Sequence, residues 1–221
     1  MPTADKQSLL ASVQMMADFF WGPTPEQSDD LLLSNYWQPF ESILPDLDSS
    51  ALRALESIKA FLSTFPGSQI LFESLEEEYV RLFINDRQGL RTLLYASCHV
   101  ELESGEKALL MGEPALEMQR RFQSKGLSLA EDIGEPPDHL SIELEYLYYL
   151  LDNGWASNND QLIREATAFA AEGMLPWVQK MEQSLKCGEN PGHFYPHLVF
   201  LLMALLRFIG TINTANHGMD I

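Results

Sequence analysis

Apolar residues recur at intervals of three and four positions along almost the whole chain, and no long stretch alternates between apolar and polar residues. That interval places side chains on one face of an α-helix, whereas a β-strand requires alternation. We therefore predict an all-α protein, a bundle of about eight helices. The predicted helices are Asp5–Phe20, Pro25–Tyr36, Ser49–Phe65, Gln69–Ile84, Pro114–Lys125, Pro137–Asp152, Asp160–Ser184 and Phe194–Thr211.

Glycine and proline indicate where several of these helices end or bend. Gly126 and Gly154 follow predicted helix ends, as glycine commonly does. Pro176 lies inside the helix predicted over residues 160–184. Because proline lacks an N–H group and clashes with the preceding turn, it should kink or split that helix near Leu175.

The segment 126–137 is the predicted boundary within the chain, because two glycines and two prolines interrupt it. It divides the protein into an N-terminal helical part, 1–125, and a C-terminal helical part, 138–221, which form two packed parts of a single functional domain. The segment itself is an acidic hinge. A stiff joint of this kind permits exchange of parts between protomers, so a homodimer formed by segment exchange at 126–137 is a further hypothesis.

The charge balance indicates the kind of partner. Fourteen Lys and Arg residues oppose 32 Asp and Glu residues, for a net charge of −18. Such a chain repels a phosphate backbone, so nucleic acid is not expected as a ligand. Between Gly126 and Ile163 there is no basic residue and there are eight acids, which favours a basic partner for this region.

The compartment is predicted from cysteine usage and hydropathy. Cys98 and Cys187 form no CxxC motif, so neither a disulfide framework nor a structural zinc site is indicated. Residues 1–7 lack the pattern of a secretory signal. The most apolar stretch, residues 198–206, is far shorter than the ~20 residues that span a bilayer. We expect a cytoplasmic protein without a membrane span.

Signals for catalysis are weak. His193 and His197 have the i, i+4 spacing of a metal-binding pair, but no Glu follows His193, and Pro196 disturbs the helix between them. The chain also lacks a phosphate-binding glycine loop and a nucleophile elbow. We predict no catalytic residue, no metal site and no cofactor. Two alternatives stay open: a small metal-dependent hydrolase that uses these histidines, and a helical protein-binding scaffold without a cofactor-linked role.

Two blocks carry more information. In the first, Tyr79, Leu82 and Phe83 fall on one helical face after an acidic run, residues 76–78, that is expected to be solvated. The second is Glu135–Leu140, which leads into a helix with an apolar stripe at residues 140, 144, 147 and 151.

The polar residues of the second block suggest individual positions. Asp138 is predicted in the first turn of the helix, where the helix dipole favours a carboxylate. His139 gains nothing from that dipole, which makes its position informative. Glu143 and Glu145 are expected elsewhere on the helix surface.

Taken together, Tyr79–Phe83, Tyr95–Ser97 and Glu135–Leu140, followed by Glu143 and Leu144, resemble the TorD/DmsD family of cytoplasmic chaperones for molybdoenzymes. The similarity extends from about Leu71 to Leu151. Many relatives carry Gly-Pro after the Leu-Phe pair, whereas this chain has Ile84 followed by Asn-Asp-Arg-Gln. That variant is more similar to the TorD branch, which serves trimethylamine N-oxide reductase.

The resemblance implies a chaperone that binds the twin-arginine signal peptide and the body of an apo-molybdoenzyme, aids insertion of the molybdenum cofactor and prevents premature export. Carried over position by position, it implies that the peptide is contacted by Tyr79, Leu82, Phe83, Tyr95, Pro136, Asp138, His139 and Glu143. In this hypothesis Leu82 and Phe83 line an apolar groove, Asp138 faces the arginines and Pro136 fixes the loop. We do not predict a bound nucleotide.

Overall fold

The computed structural model describes residues 5–84, 92–100, 110–131, 133–186 and 192–212, and within these ranges it is all-α. The one β-bridge in the described ranges joins Tyr95 to His139. The α-helices are α1 (Lys6–Trp21), α2 (Pro25–Leu31), α3 (Gln38–Ile43), α4 (Ser49–Leu62), α5 (Ser68–Tyr79), α6 (Glu113–Ser124), α7 (Leu140–Ala156), α8 (Asp160–Ala168), α9 (Leu175–Lys186) and α10 (Tyr195–Gly210). Short 3₁₀ turns cover Leu44–Asp46 and Ala96–Cys98, and π-helical turns cover Val80–Ile84 and Phe169–Met174.

The predicted all-α class is confirmed, and most predicted helices appear within a few residues of their expected ends. The helix predicted over 160–184 consists of three consecutive elements. Helix α8 continues into the π-helical turn Phe169–Met174, and α9 begins at Leu175, the place where Pro176 indicated a kink or split. The helix predicted to reach Tyr36 ends at Leu31 instead. Tight i, i+3 turns follow it, in which the Leu33 N–H donates to Asp30 and the Tyr36 N–H donates to Leu33.

Helix α10 lies at the centre of the bundle. Its buried residues run from Tyr195 to Ile209 on nearly every side, which explains why its sequence is almost entirely apolar. It packs against α4, against α9 and against the π-helical turn between α8 and α9, while α1 packs against α7. Helices from both sides of the segment 126–137 therefore share one core. The hinge role of that segment stays a prediction.

Gly126 and Gly154 have different structural roles. Gly126 follows α6 with a φ of 68°, as a glycine at a helix C-terminus often does. Gly154 was predicted to follow a helix end, but it lies inside α7, which continues to Ala156. A Cβ at Gly154 would meet the Cδ1 of Ile163 at 2.5 Å, so this glycine allows α8 to approach α7 closely.

No described helix combines the length and apolar character that a membrane crossing requires.

Candidate functional site

The chain on either side of the predicted hinge is joined by backbone pairing. Tyr95 and His139 form an antiparallel bridge. The Ala96 N–H donates to the Asp138 carbonyl at 3.0 Å, and the Leu140 N–H donates to the Leu94 carbonyl at 2.8 Å. Residues 136–139 form a turn, in which the His139 N–H donates to the Pro136 carbonyl at 3.0 Å, and His139 itself is extended. Helix α7 therefore begins at Leu140 and not at the predicted Pro137.

Asp138 lies inside the protein. Its side chain is 0% exposed, and its Oδ2 accepts a hydrogen bond from the backbone N–H of Ser97 at 2.8 Å. Asp138 is therefore neither in the first turn of α7 nor, in this structure, at a surface where it could face arginines. The carboxylate fixes the turn that follows Tyr95, a role that depends on a partner 41 positions away.

Three buried polar atoms at this junction have no hydrogen-bond partner among the described residues: Asp138 Oδ1, Ser97 Oγ and Ser141 Oγ. Unsatisfied polar atoms cost free energy, and a few such atoms gathered in one place are unusual in a well-packed core. The junction around Asp138 is thus polar inside, although apolar side chains surround it.

His139 is the N-cap of α7. Its Nδ1 accepts a hydrogen bond from the Ser141 N–H at 3.2 Å, which a neutral imidazole can do and an imidazolium cannot. Burial lowers the pKa of His139 to about 4, although nearby Glu135 and Asp138 act in the opposite direction. The expectation that this histidine gains nothing from the helix N-terminus is wrong, because the ring caps the helix in its neutral form.

Aromatic rings surround His139. The Trp21 ring stacks on it with centroids 5.0 Å apart and planes 15° apart, and the Tyr95 ring meets it edge-on at 5.3 Å. Trp21 is the last residue of α1, so this stack joins the ends of two helices that are distant in sequence. The sequence pattern did not indicate that Trp21 would lie here. The only available signal was its position beside a glycine at the end of a predicted helix.

The partly exposed residues around this stack form what we call the Trp21 surface: Trp21, Tyr79, Tyr95, Glu135 and Glu145. Each polar group on it has a fixed partner. The Trp21 Nε1–H donates to Glu145 at 2.8 Å, the Tyr95 hydroxyl donates to Glu135 at 2.6 Å, and the Tyr79 hydroxyl donates to the Phe20 carbonyl at 3.1 Å. The result is a rigid aromatic surface with two carboxylates at its edge.

The electrostatics of this surface are acidic. Burial, reinforced by Glu135, raises the pKa of Tyr79 to about 12, and burial together with the Glu135 hydrogen bond also raises the pKa of Tyr95. Both phenols therefore stay protonated at neutral pH. The ion pairs that the described residues form with one another engage other carboxylates, those of Glu41, Asp48, Glu113, Glu117, Glu165 and Glu182. Glu135 and Glu145 are thus available to a cation from outside.

Leu82 and Phe83 do not line an open groove. They are 0% and 3% exposed, and the Phe83 ring packs edge-on against Tyr79 and Tyr195. Their apolar face is directed into the core because α5 and its π-helical turn pack there. Their contribution to the Trp21 surface is indirect, through Tyr79.

Two acidic residues are buried contrary to expectation. Glu143 is 4% exposed and accepts a hydrogen bond from the Trp177 Nε1–H at 3.0 Å, while burial raises its pKa well above the usual value. Glu78, placed by the sequence in a solvated run, accepts from the backbone N–H groups of His193, Phe194 and Tyr195 at 2.9–3.0 Å. Glu145, in contrast, is exposed as expected.

A cavity of about 660 Å³ adjoins the Trp21 surface, and Glu135 and Pro136 belong to its wall. We call it the hinge cavity, because seven of its eleven lining residues come from the segment after α6. It is lined by Met111, Gln119, Phe122, Gln123, Leu127, Ser128, Leu129, Gly134, Glu135, Pro136 and Pro137. Its lining mixes apolar side chains with amides and one carboxylate. A volume of this size accommodates several apolar side chains of a bound segment.

His193 and His197 do not form the core of a metal site among the described residues. His193 is exposed and stacks on Phe61 at 5.8 Å, and no described group of three or more His, Cys, Asp or Glu residues could hold a metal ion. His197 is partly buried, and this burial lowers its pKa.

Comparison with known proteins identifies similar chains. Residues 44–183 match the family model described as nitrate reductase delta subunit. The chain is 31% identical over 164 residues to a protein named Chaperone protein TorD from Vibrio vulnificus, covering 71% of this chain and 73% of that one. It is 26% identical to the protein of that name from Photobacterium profundum, over 69% and 70% of the two chains. With the one from Vibrio atlanticus the identity is 28%, over 70% and 71%. These relatives are named as chaperones and not as enzymes.

Proposed function

Because this chain belongs to the TorD-like family that the nitrate reductase delta subunit model describes, we propose that it is a cytoplasmic chaperone for one molybdoenzyme. The client would be an apo-reductase with a twin-arginine signal peptide, trimethylamine N-oxide reductase in the most specific form of the proposal. The chaperone would hold the client until the molybdenum cofactor is inserted and would thereby prevent premature export.

The observation that carries this proposal is the Trp21 surface beside the hinge cavity. A twin-arginine leader has a basic region followed by an apolar stretch, and it therefore requires carboxylates next to an apolar hollow. Glu135 belongs to both features, since it accepts from Tyr95 on the surface and lines the cavity. In this arrangement the basic region lies on the Trp21 surface and the apolar stretch enters the hinge cavity.

Apolar contact should determine how long the complex lasts. An exposed ion pair contributes only about 0–1 kcal/mol, whereas a buried Leu or Phe side chain contributes about 1.5–3 kcal/mol. The carboxylates would mainly raise the association rate and fix the direction of the peptide. Of the eight residues that the resemblance implies, Tyr79, Tyr95 and Pro136 are partly exposed and could touch a peptide directly. The other five are buried and would hold the surface residues in position without touching the peptide: Leu82, Phe83, Asp138, His139 and Glu143.

The test is calorimetric titration of the protein with a twin-arginine leader peptide. Trp21→Ala should weaken binding by about tenfold or more, because a central tryptophan is commonly a dominant contact. Trp155→Ala is the matched control, since Trp155 is also partly exposed but lies at the far end of α7 from His139. Melting curves of both variants show whether the fold is intact.

Two results would contradict the proposal: a wild-type protein that binds no leader peptide, or equal affinity in wild type and Trp21→Ala. Capture of the client from cells separates the chaperone from a general scaffold. A molybdoenzyme precursor as the main captured protein supports the chaperone, and a mixture of unrelated proteins supports the scaffold.

A further inference from the structure

A second cavity, of about 340 Å³, lies between α1 and α2 and shares Trp21 with the Trp21 surface. We call it the Asp18 cavity. Its wall includes two carboxylates, Asp18 and Asp30, and two aromatic residues, Trp21 and Tyr36. Both carboxylates belong to exposed residues, and the open hollow that they line also contains the partly exposed rings of Trp21 and Tyr36.

The charges of the two carboxylates both influence the hydroxyl group of Tyr36. Burial and then the charges of Asp18 and Asp30 raise the pKa of Tyr36 to about 12, while a hydrogen bond with Gln27 has the opposite effect. The phenol therefore stays neutral at neutral pH, and both carboxylates are close enough to interact with it electrostatically. Asp18 is also held in place, because its Oδ1 accepts from the Gln14 side-chain amide at 2.9 Å.

The charge of this cavity is not balanced by the described part of the chain. The ion pairs among described residues involve neither Asp18 nor Asp30, and both side chains are exposed. A cation from another molecule would therefore meet two carboxylates without displacing an internal partner.

The aromatic walls favour one type of cation. One ring of Trp21 stacks on His139, and its indole N–H is committed to Glu145, so the tryptophan is held rigidly while it borders the cavity. A guanidinium is planar, stacks on aromatic rings and donates through several N–H groups at once, whereas an ammonium is a compact and strongly hydrated charge. Two carboxylates beside an indole suit the guanidinium better.

We propose that the Asp18 cavity binds the guanidinium group of an arginine from the partner peptide. The identity of that peptide rests on the proposed function, whereas the preference of the cavity for arginine does not. The path between the two regions is short, because ring-to-ring steps of 5.3 and 5.0 Å lead from Tyr95 through His139 to Trp21. A few residues of extended chain cover such a distance. An arginine in the Asp18 cavity can thus belong to the same peptide that reaches Glu135.

The first experiment uses single amino acids as probes. N-acetyl-arginine amide is titrated into isotope-labelled protein, and the Trp21 indole N–H is followed by NMR, with Trp21→Phe used to assign the signal. Arginine should shift this signal saturably, and N-acetyl-citrulline amide, which has nearly the same shape but no charge, should not. The double variant Asp18→Asn/Asp30→Asn should abolish the shift.

Asp29→Asn is the matched control. Asp29 is exposed and lies next to Asp30 on α2, but it does not line the cavity. Retention of arginine binding in Asp29→Asn supports a local site. Equal losses in the Asp29 variant and the double variant, or equal shifts with citrulline and arginine, would overturn the proposal and leave only a diffuse acidic surface.

The second experiment uses the twin-arginine leader peptide and distinguishes the two proposals. The double variant should lose about tenfold in affinity for the leader, and it should lose nothing for a leader in which citrulline replaces both arginines. If the wild-type protein binds arginine amide but does not bind the leader peptide, the chaperone proposal fails and the proposed arginine site is retained. If the leader binds wild type and the double variant equally and arginine amide causes no shift, the cavity proposal is overturned and the chaperone proposal stands.

Discussion

At the residue scale, burial decides which protonation states the protein can use. His139 stacks on Trp21 and accepts a hydrogen bond at the start of α7, and this hydrogen bond requires a neutral ring. Glu143 lies a single helical turn further along, and its burial favours the neutral form of a carboxyl group. Burial therefore favours the neutral form of both residues, which the sequence suggests as binding groups.

The folding stability should depend on His139 in a defined pH window. In the unfolded chain its pKa is near 6.5, and in the folded protein it is about 4. Between these values the unfolded state takes up a proton that the folded state does not, so the free energy of unfolding falls as the pH is lowered from 6.5 to 4. The total loss is about 3 kcal/mol, since each pKa unit corresponds to about 1.4 kcal/mol.

Urea denaturation of wild type and His139→Asn at several pH values measures this effect. Asparagine is a good N-cap and does not titrate, so the variant should lack this component of the acid loss. Glu143 is present in both proteins and cancels in the comparison. His193→Asn controls for the removal of a histidine from an exposed position. Parallel curves for wild type and His139→Asn between pH 7 and 4 would refute the assignment.

At the element scale, partners from distant parts of the chain decide where helices begin. Helix α7 starts three residues later than its sequence pattern suggests because Asp138 and His139 pair with the segment after Leu94. Helix α10 starts where Glu78 accepts three consecutive backbone N–H groups, and Gly192 precedes it with a φ of 89°. A Cβ at Gly192 would lie 2.6 Å from the Glu78 carboxylate, so only glycine fits this cap.

Removing the Glu78 carboxylate should therefore be costly. Glu78→Ala leaves three backbone N–H groups at the start of a buried helix without their acceptor, and we expect a loss of about 3 kcal/mol in the free energy of unfolding. Glu78→Gln retains an acceptor oxygen and should lose less. Glu77→Ala, one position earlier and exposed, should change stability by no more than about 0.5 kcal/mol. Thermal and urea melts measure all three variants. A Glu78→Ala variant as stable as Glu77→Ala would show that the Glu78 cap does not contribute to the free energy of unfolding.

At the scale of the whole molecule, the N-terminal and C-terminal parts bury each other's apolar surfaces. Helix α1 packs along α7, and α4 packs along α10, so neither part keeps its core if the other is removed. The predicted exchange of parts between protomers at 126–137 stays a prediction. If it occurs, these same contacts would form between two chains.

This packing predicts that the protein unfolds as one unit. A calorimetric scan should show a single transition with equal calorimetric and van't Hoff enthalpies, as expected for a two-state process. Limited proteolysis within 126–137 should release no stable fragment. Two separated transitions, or a fragment covering 138–221 that keeps its helical spectrum, would show that the two parts fold independently.

The sequence by itself determined the helical class, most helix positions and the division near Leu175, because these depend on local periodicity and on the covalent geometry of proline. The sequence also singled out the blocks that contain Tyr95, Glu135 and His139, and the role of Tyr95 and His139 in peptide binding stays a prediction. It did not determine which carboxylates are buried. Asp138, Glu143 and Glu78 carry the same charge as their exposed neighbours, and only their distant partners Ser97, Trp177 and the start of α10 distinguish them.

The tertiary structure alone decided that Trp21 lies beside His139 in the candidate site. Nothing local connects the end of α1 with the start of α7, because the stack of Trp21 on His139 exists only after the two helices pack side by side. The same packing brings the Asp18 cavity next to the Trp21 surface. A surface assembled from separate helices is set by long-range contacts, and sequence periodicity carries information only along a single helix.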